Sequence, residues 1–155
     1  MTDSGIFWDY ENVPLRHRDF KGFLVGLKNF ISSHNIYFAR VYARKRTITG
    51  LCQEHINSLE VFDYKFVKGN ESNAVDYIMM QSCIDALRRN VNIKQAIIIT
   101  GDGDFSDLLT NIESSGVHIS LIYQKANYNE CLFDKADNAY SVNYVVSHAH
   151  DWWLT

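Results

Sequence analysis

Proline is nearly absent from this 155-residue chain: Pro14 is the only one, and no stretch is built from a few residue types. That argues against a proline-rich spacer or a low-complexity tail. No apolar run approaches the ~20 residues that cross a bilayer. A basic start followed by an apolar stretch, the mark of a secretory leader, is also lacking. The three cysteines, Cys52, Cys83 and Cys131, are odd in number and far apart. They fit reduced thiols better than a disulfide frame or a zinc site, so an intracellular, cytoplasmic location is expected. Excess charge of one sign is missing too. A net charge of −3 supplies no field that attracts a polyanion, although such a count averages over patches of opposite sign. No Gly-x-x-x-x-Gly-Lys-Ser/Thr loop occurs, which excludes nucleotide hydrolysis of the P-loop type.

What is present is the composition of a globular protein, 46% hydrophobic and 21% charged. The length suits one domain over 1–155 with a core at about 4–146. Phe20, Phe23, Leu24, Leu27, Phe30 and Ile31 recur at helical spacing between Arg18 and Ser33. Residues 4–8, 36–43, 61–67, 97–99 and 117–123 are apolar, aromatic or β-branched and predict strands. Helices are predicted over 49–59, 73–89, 105–115 and 127–136, and a last short strand over 141–146. This alternation implies a mainly parallel sheet with helices on both faces and right-handed crossovers. The loops that follow the strands then share one edge, where open α/β sheets hold ligands.

Two of those strands run into acids. Ile97-Ile98-Ile99 leads to Thr100-Gly101-Asp102-Gly103-Asp104-Phe105, and Ile6-Phe7-Trp8 leads to Asp9-Tyr10-Glu11-Asn12. Each acid has an ordinary structural use. Asp9 suits a turn, Asp104 an N-cap with Asp107 behind it, and Asn73-Ala74-Val75-Asp76 has the form of a capping box. Capping accounts for Asp107 but leaves Asp102 unexplained. Gathering Asp9, Asp76, Asp102 and Asp104 at one edge is unfavourable unless protons or a cation relieve the repulsion. Oxygen-only ligands select Mg²⁺, Mn²⁺ or Ca²⁺, and the absence of a histidine among them argues against zinc. His148 and His150 form an H-x-H pair near the C-terminus, a spacing more often solvated than ligating. An aspartyl phosphatase would want D-x-D directly after the first strand, where this chain has Asp9-Tyr10-Glu11. An EF-hand would want a third ligand and a glycine where Phe105 and Ser106 stand.

Taken in order, these pieces resemble the NYN domains, PIN-like ribonucleases related to LabA and limkain-type proteins. Phe7-Trp8-Asp9-Tyr10-Glu11-Asn12 is similar to the family's opening D-x-E-N, and Asn73-Ala74-Val75-Asp76 to its middle-helix acid motif. Ile99-Thr100-Gly101-Asp102-Gly103-Asp104-Phe105 is similar to its S/T-G-D-x-D-F signature, and Ala136-Asp137 with Tyr140 to its close. The resemblance implies a PIN-like three-layer α/β/α sandwich with strand order 3-2-1-4-5. It implies that Asp9, Asp76, Asp102 and Asp104 hold one or two divalent ions, Mg²⁺ or Mn²⁺. Asn12, Thr100 and Asn73 would then orient ligands or contact substrate. Where many members carry Lys-Gly before the middle acid, this chain has Asn73-Ala74.

The activity this predicts is metal-dependent hydrolysis of RNA phosphodiesters, endonucleolytic on single strands, with the carboxylates as ligands. Arg44, Lys45 and Arg46 after the second strand, Lys68 after the third and Lys125 after the fifth would form a phosphate-contacting rim. Arg16, His17 and Arg18 would extend it. Tyr10, Tyr42 and Tyr128 are candidates for stacking on bases, with core packing the simpler role for Tyr42. Two other readings stand beside this one: a non-catalytic RNA-binding or protein-interaction module, and a DNA or flap nuclease. The Trp152-Trp153 pair would pack back on the domain or mark a homodimer or partner contact.

Overall fold

The computed structural model of the protein describes the backbone of residues 2–61, 64–69 and 72–153. Side chains at 17, 61, 64–66, 68, 72–74 and 150–153 lie outside that description. Lys68, Asn73, His150, Trp152 and Trp153 are therefore placed by backbone alone.

Strands β1 (Thr2–Asp9), β2 (His34–Arg44), β3 (Tyr64–Gly69), β4 (Gln95–Ile99), β5 (His118–Tyr123) and β6 (Asn138–Ser141) form one sheet in the order β3-β2-β1-β4-β5-β6. Every pairing is parallel. The first five strands have the expected order 3-2-1-4-5, and β6 extends the sheet past β5. The chain fills one side through β2 and β3, then returns across β1 to start β4. That reversal makes the gap between β1 and β4 the switch point of the sheet, where a crevice opens at the carboxyl ends.

The continuous apolar runs follow from burial on both faces. Ile6 and Trp8 of β1 and Ile97 and Ile99 of β4 join one core, with Phe20, Phe23, Leu24 and Leu27 of α1 (His17–Phe30). Leu59 of α3 (Gln53–Val61) and Val142 and Val145 of α6 (Val142–Trp153) complete that layer. Phe7, Ala96 and Ile98 point the other way, onto Val75, Met79 and Cys83 of α4 (Ser72–Arg89) and Leu108, Leu109 and Ile112 of α5 (Ser106–Ser114). Helices α1 and α6 meet closely at Gly26, where a Cβ would lie 2.3 Å from the Val145 carbonyl oxygen. No helix among the described residues is long and apolar enough to cross a membrane.

Five local expectations change. Residues 141–146 are not a strand: β6 ends at Ser141 and α6 begins at Val142. The Ser141 hydroxyl accepts the Tyr144 N–H at 3.1 Å, a helix N-cap, and Val142 and Val145 pack at helical spacing. Their β-branched character had favoured a strand. The helix expected over 49–59 is two, α2 (Lys45–Gly50) and α3, broken at Leu51, which is extended. Val61, expected to open the third strand, closes α3 instead; residues 62 and 63 of that expectation lie outside the described residues, and β3 is Tyr64–Gly69. Residues 127–136 contain a 3₁₀ turn, Glu130–Lys135, with the Asn129 side chain accepting the Cys131 N–H. Helix α4 is already helical at Ser72, so Asp76 falls in its second turn and not at the third position after an Asn73 cap.

Candidate metal centre

Asp9 is the last residue of β1 and Thr100 the first beyond β4, so adjacent parallel strands deliver them side by side. The Thr100 hydroxyl donates to Asp9 Oδ2 at 2.9 Å and accepts the Asp102 N–H at 3.2 Å. One hydroxyl thereby aligns both acids. Asp102 Oδ1 accepts the Asp104 N–H at 2.9 Å and caps the 3₁₀ turn Gly103–Phe105. The cap is thus Asp102, where the sequence had pointed to Asp104. Phe105, inside that turn, is buried beneath it and anchors the loop in the core. Asp76 comes from α4, whose Val75 and Met79 are buried against the same sheet face.

Asp9, Asp76 and Asp102 each present an oxygen within 4.8 Å of the others. Asp9 is only 1% exposed, and its Oδ1 has no hydrogen-bond partner among the described residues. Burial raises the Asp9 carboxyl to about 7 against the pull of the Thr100 bond, and the charges of Asp76 and Asp102 add to the rise. Asp76 is raised to about 6, by burial and then by Asp102, Asp104 and Glu11. Buried carboxylates that repel one another and leave a lone pair unsatisfied are relieved by a proton or a cation. The donor set is all oxygen and so fits a hard divalent ion. Asp104 is exposed and stands outside this trio, close enough for its charge to act on Asp76. Asp107 is exposed in the first turn of α5.

The loops carrying these acids are tied together. The Asn12 side-chain oxygen accepts the Gly101 N–H, and the Asn129 N–H donates to the Gly101 carbonyl at 2.8 Å. Glu11 accepts the Arg44 N–H at 2.6 Å, the Thr47 hydroxyl at 2.7 Å and the Arg44 guanidinium at 3.3 Å. Burial works against the Glu11 charge, but these donors outweigh it and hold its carboxyl below the usual range. Sequence reasoning assigned Glu11 no task of its own. The signal was there: an acid beside a ligand position, with Arg44 at the end of the neighbouring strand.

The basic residues divide. Arg44 is half-buried and engaged by Glu11, with its Nε lacking a hydrogen-bond partner among the described residues. Lys45 and Arg46 are exposed at the start of α2, and Lys125 is exposed in the turn after β5. Lys68 is in β3, paired in register with Ala43. Arg16 pairs with Asp19 at 3.5 Å. Tyr10 and Tyr42 are buried, whereas Tyr128 is exposed. His148 lies on α6 among Phe30 and Tyr144, far in sequence from the acids.

A sequence model of the NYN domain matches residues 3–143. No curated protein sequence matches the chain. Among solved structures, a crystal structure of a protein of unknown function from Vibrio parahaemolyticus is similar, with a TM-score of 0.65 at 18% identity. The similarity covers 90% of this chain and 92% of that one, and shows a shared fold. With the family match spanning nearly its whole length, the chain belongs to the NYN domain family of PIN-like nucleases.

Proposed function

We propose that this protein is a divalent-metal-dependent ribonuclease that cuts within single-stranded RNA, with Mg²⁺ or Mn²⁺ held by Asp9, Asp76 and Asp102. The observation that carries the reading is the buried Asp9 Oδ1, without a hydrogen-bond partner among the described residues and beside two more carboxylates, in a chain of a nuclease family. A buried carboxylate oxygen left without a donor costs stability, and a cation at that point converts the cost into binding.

A divalent ion in such a site supplies positive charge to a phosphate oxygen and acidifies a water molecule. The protein's own residues do the rest. Thr100 fixes the rotamer of Asp9 and the backbone of Asp102, so the ligand oxygens are oriented before substrate arrives. Asp104 keeps a carboxylate at the open side of the trio. Asn12 and Asn129 hold the Gly101 loop from opposite sides. Lys45, Arg46 and Lys125 offset the acidic centre and contact phosphates flanking the scissile one. Arg44, engaged by Glu11 at the end of β2, and Lys68, near the end of β3, belong to the same sheet edge.

The test is incubation of purified protein with end-labelled single-stranded RNA and a circular RNA, in Mn²⁺ or Mg²⁺, beside Asp102→Asn. Asparagine can still cap the 3₁₀ turn, so the loop is retained. Cleavage of both RNAs by the wild type, lost in the variant and in EDTA, supports the proposal. Equal background in both proteins overturns it and leaves a non-catalytic RNA-binding or interaction module. Faster cleavage of matched DNA or flap substrates overturns the assignment to RNA.

A further inference from the structure

Beyond β5 the chain turns sharply and lies across the loop that carries Asp102. The Asn127 N–H donates to the Gln124 carbonyl at 3.1 Å, and the Gln124 side chain reaches the Pro14 carbonyl at 2.7 Å. With the Asn129–Gly101 bond, these contacts pin residues 124–129 over the loops following β1 and β4. The fit leaves no room for a side chain at position 101. A Cβ on Gly101 would lie 2.3 Å from the Asn127 carbonyl oxygen, 2.8 Å from Tyr128 Cα and 3.0 Å from Tyr128 Cβ. Tyr128 is therefore packed against the residue immediately before Asp102.

Its ring is held by two others. The Phe133 ring stacks on it, with centroids 5.4 Å apart and planes 20° apart, and Tyr123 lies at 5.1 Å, tilted 54°. Phe133 packs on the core beneath, and Tyr123 ends β5. Yet Tyr128 remains 41% exposed. Tyr10 and Tyr42 are buried, which removes them as surface platforms. Lys125 is exposed in the same turn, three residues before Tyr128. An immobilised aromatic with exposed surface, packed against the residue that precedes Asp102 and with an exposed lysine in its own turn, has the parts of a nucleotide subsite. Because the ring is already held, little rotamer freedom is lost when a base settles on it.

We propose that Tyr128 is a stacking platform for an unpaired base flanking the scissile phosphate. The inference rests on the ribonuclease reading and deepens it: a base must be unstacked from its neighbours to reach the ring, so the subsite favours single strands over duplex.

The experiment is binding by the full-length chain in Ca²⁺, followed by fluorescence anisotropy. A labelled RNA oligonucleotide is compared with versions carrying one abasic residue at successive positions, and with the duplex. Wild type is expected to bind roughly tenfold more weakly when one particular base is missing. Tyr128→Leu should bind intact and abasic RNA alike, and Tyr128→Phe should behave as wild type. Equal abasic penalties in wild type and Tyr128→Leu overturn the proposal, as does a loss in Tyr128→Phe as large as in Tyr128→Leu. Should the leucine variant not fold, a wild type indifferent to abasic residues at every position overturns it alone. Failure of the ribonuclease reading appears separately, as uncut RNA in Mg²⁺ and Mn²⁺ by a protein that still binds.

Discussion

The Thr100 hydroxyl bonds Asp9 Oδ2 across 2.9 Å, between residues 91 positions apart in the chain. It is the only hydrogen bond that Asp9 accepts from a side chain among the described residues, and the Thr100 oxygen itself accepts the Asp102 N–H. Thr100→Val keeps the shape and removes the hydroxyl. The buried Asp9 carboxyl then has one fewer donor, and the Asp102 N–H loses its acceptor. Destabilisation of about 1–3 kcal/mol is expected in urea unfolding, the cost of leaving buried polar groups unpaired. Since that bond lowers the Asp9 pKa, the variant should also need a higher pH for metal binding. Thr100→Ser should restore most of both.

The metal-free protein should lose stability as pH rises. Asp9 titrates near 7 in the folded chain, against an ordinary value of 3.8. Between those values the folded state binds more protons than the unfolded one, so unfolding free energy falls with increasing pH. The effect opens near pH 4 and is complete somewhat above pH 7, with Asp76 contributing over the lower part of that window. For Asp9 it is at most about 4 kcal/mol. Urea midpoints in EDTA should therefore drop from pH 5 to pH 8. Asp9→Asn should flatten much of that slope and be the more stable protein at pH 8. A wild-type midpoint that climbs across the same range contradicts the placement of these acids.

Glu11 is expected to matter for stability more than for the ion. It joins the loop after β1 to the end of β2 through Arg44 and Thr47. Glu11→Ala leaves the Arg44 N–H and the Thr47 hydroxyl without their acceptor and should cost about 1–3 kcal/mol. Charge on Glu11 also raises Asp76, though less than Asp102 and Asp104 do. Its loss eases Asp76 ionisation and removes some attraction for a cation, two opposed effects that should leave metal affinity changed by less than in Asp9→Asn. Denaturation and Mn²⁺ titration of the same variant separate the two effects.

These residues show what the sequence makes legible. Strands β1 and β4 announce themselves because burial on both faces requires unbroken apolar runs, and the acids at their ends are conspicuous in the glycine-flanked turn. Asp9, Asp76 and Asp102 could be gathered from topology alone, since parallel strands put every following loop on one edge. Contacts between distant loops could not. Nothing local in Asn12 or Asn129 says that they clamp Gly101, and the pairing that engages Arg44 joins it to Glu11, 33 positions away. Ser141 misled for a local reason, because valines that pack at helical spacing on α1 also satisfy a strand pattern. The division of labour between Asp102 and Asp104 depends on where one 3₁₀ turn begins, a matter of two residues.

The claim on which the rest depends is that Asp9, Asp76 and Asp102 together hold a divalent ion. Titration of Mn²⁺ into the protein near neutral pH, followed by electron paramagnetic resonance of the unbound ion, tests it without reference to turnover. Wild type should take up Mn²⁺, with release of protons as the raised carboxyls ionise, and Asp9→Asn and Asp102→Asn should each weaken uptake at least tenfold. Uptake by both variants equal to wild type, or no uptake by any of the three proteins, would contradict the account.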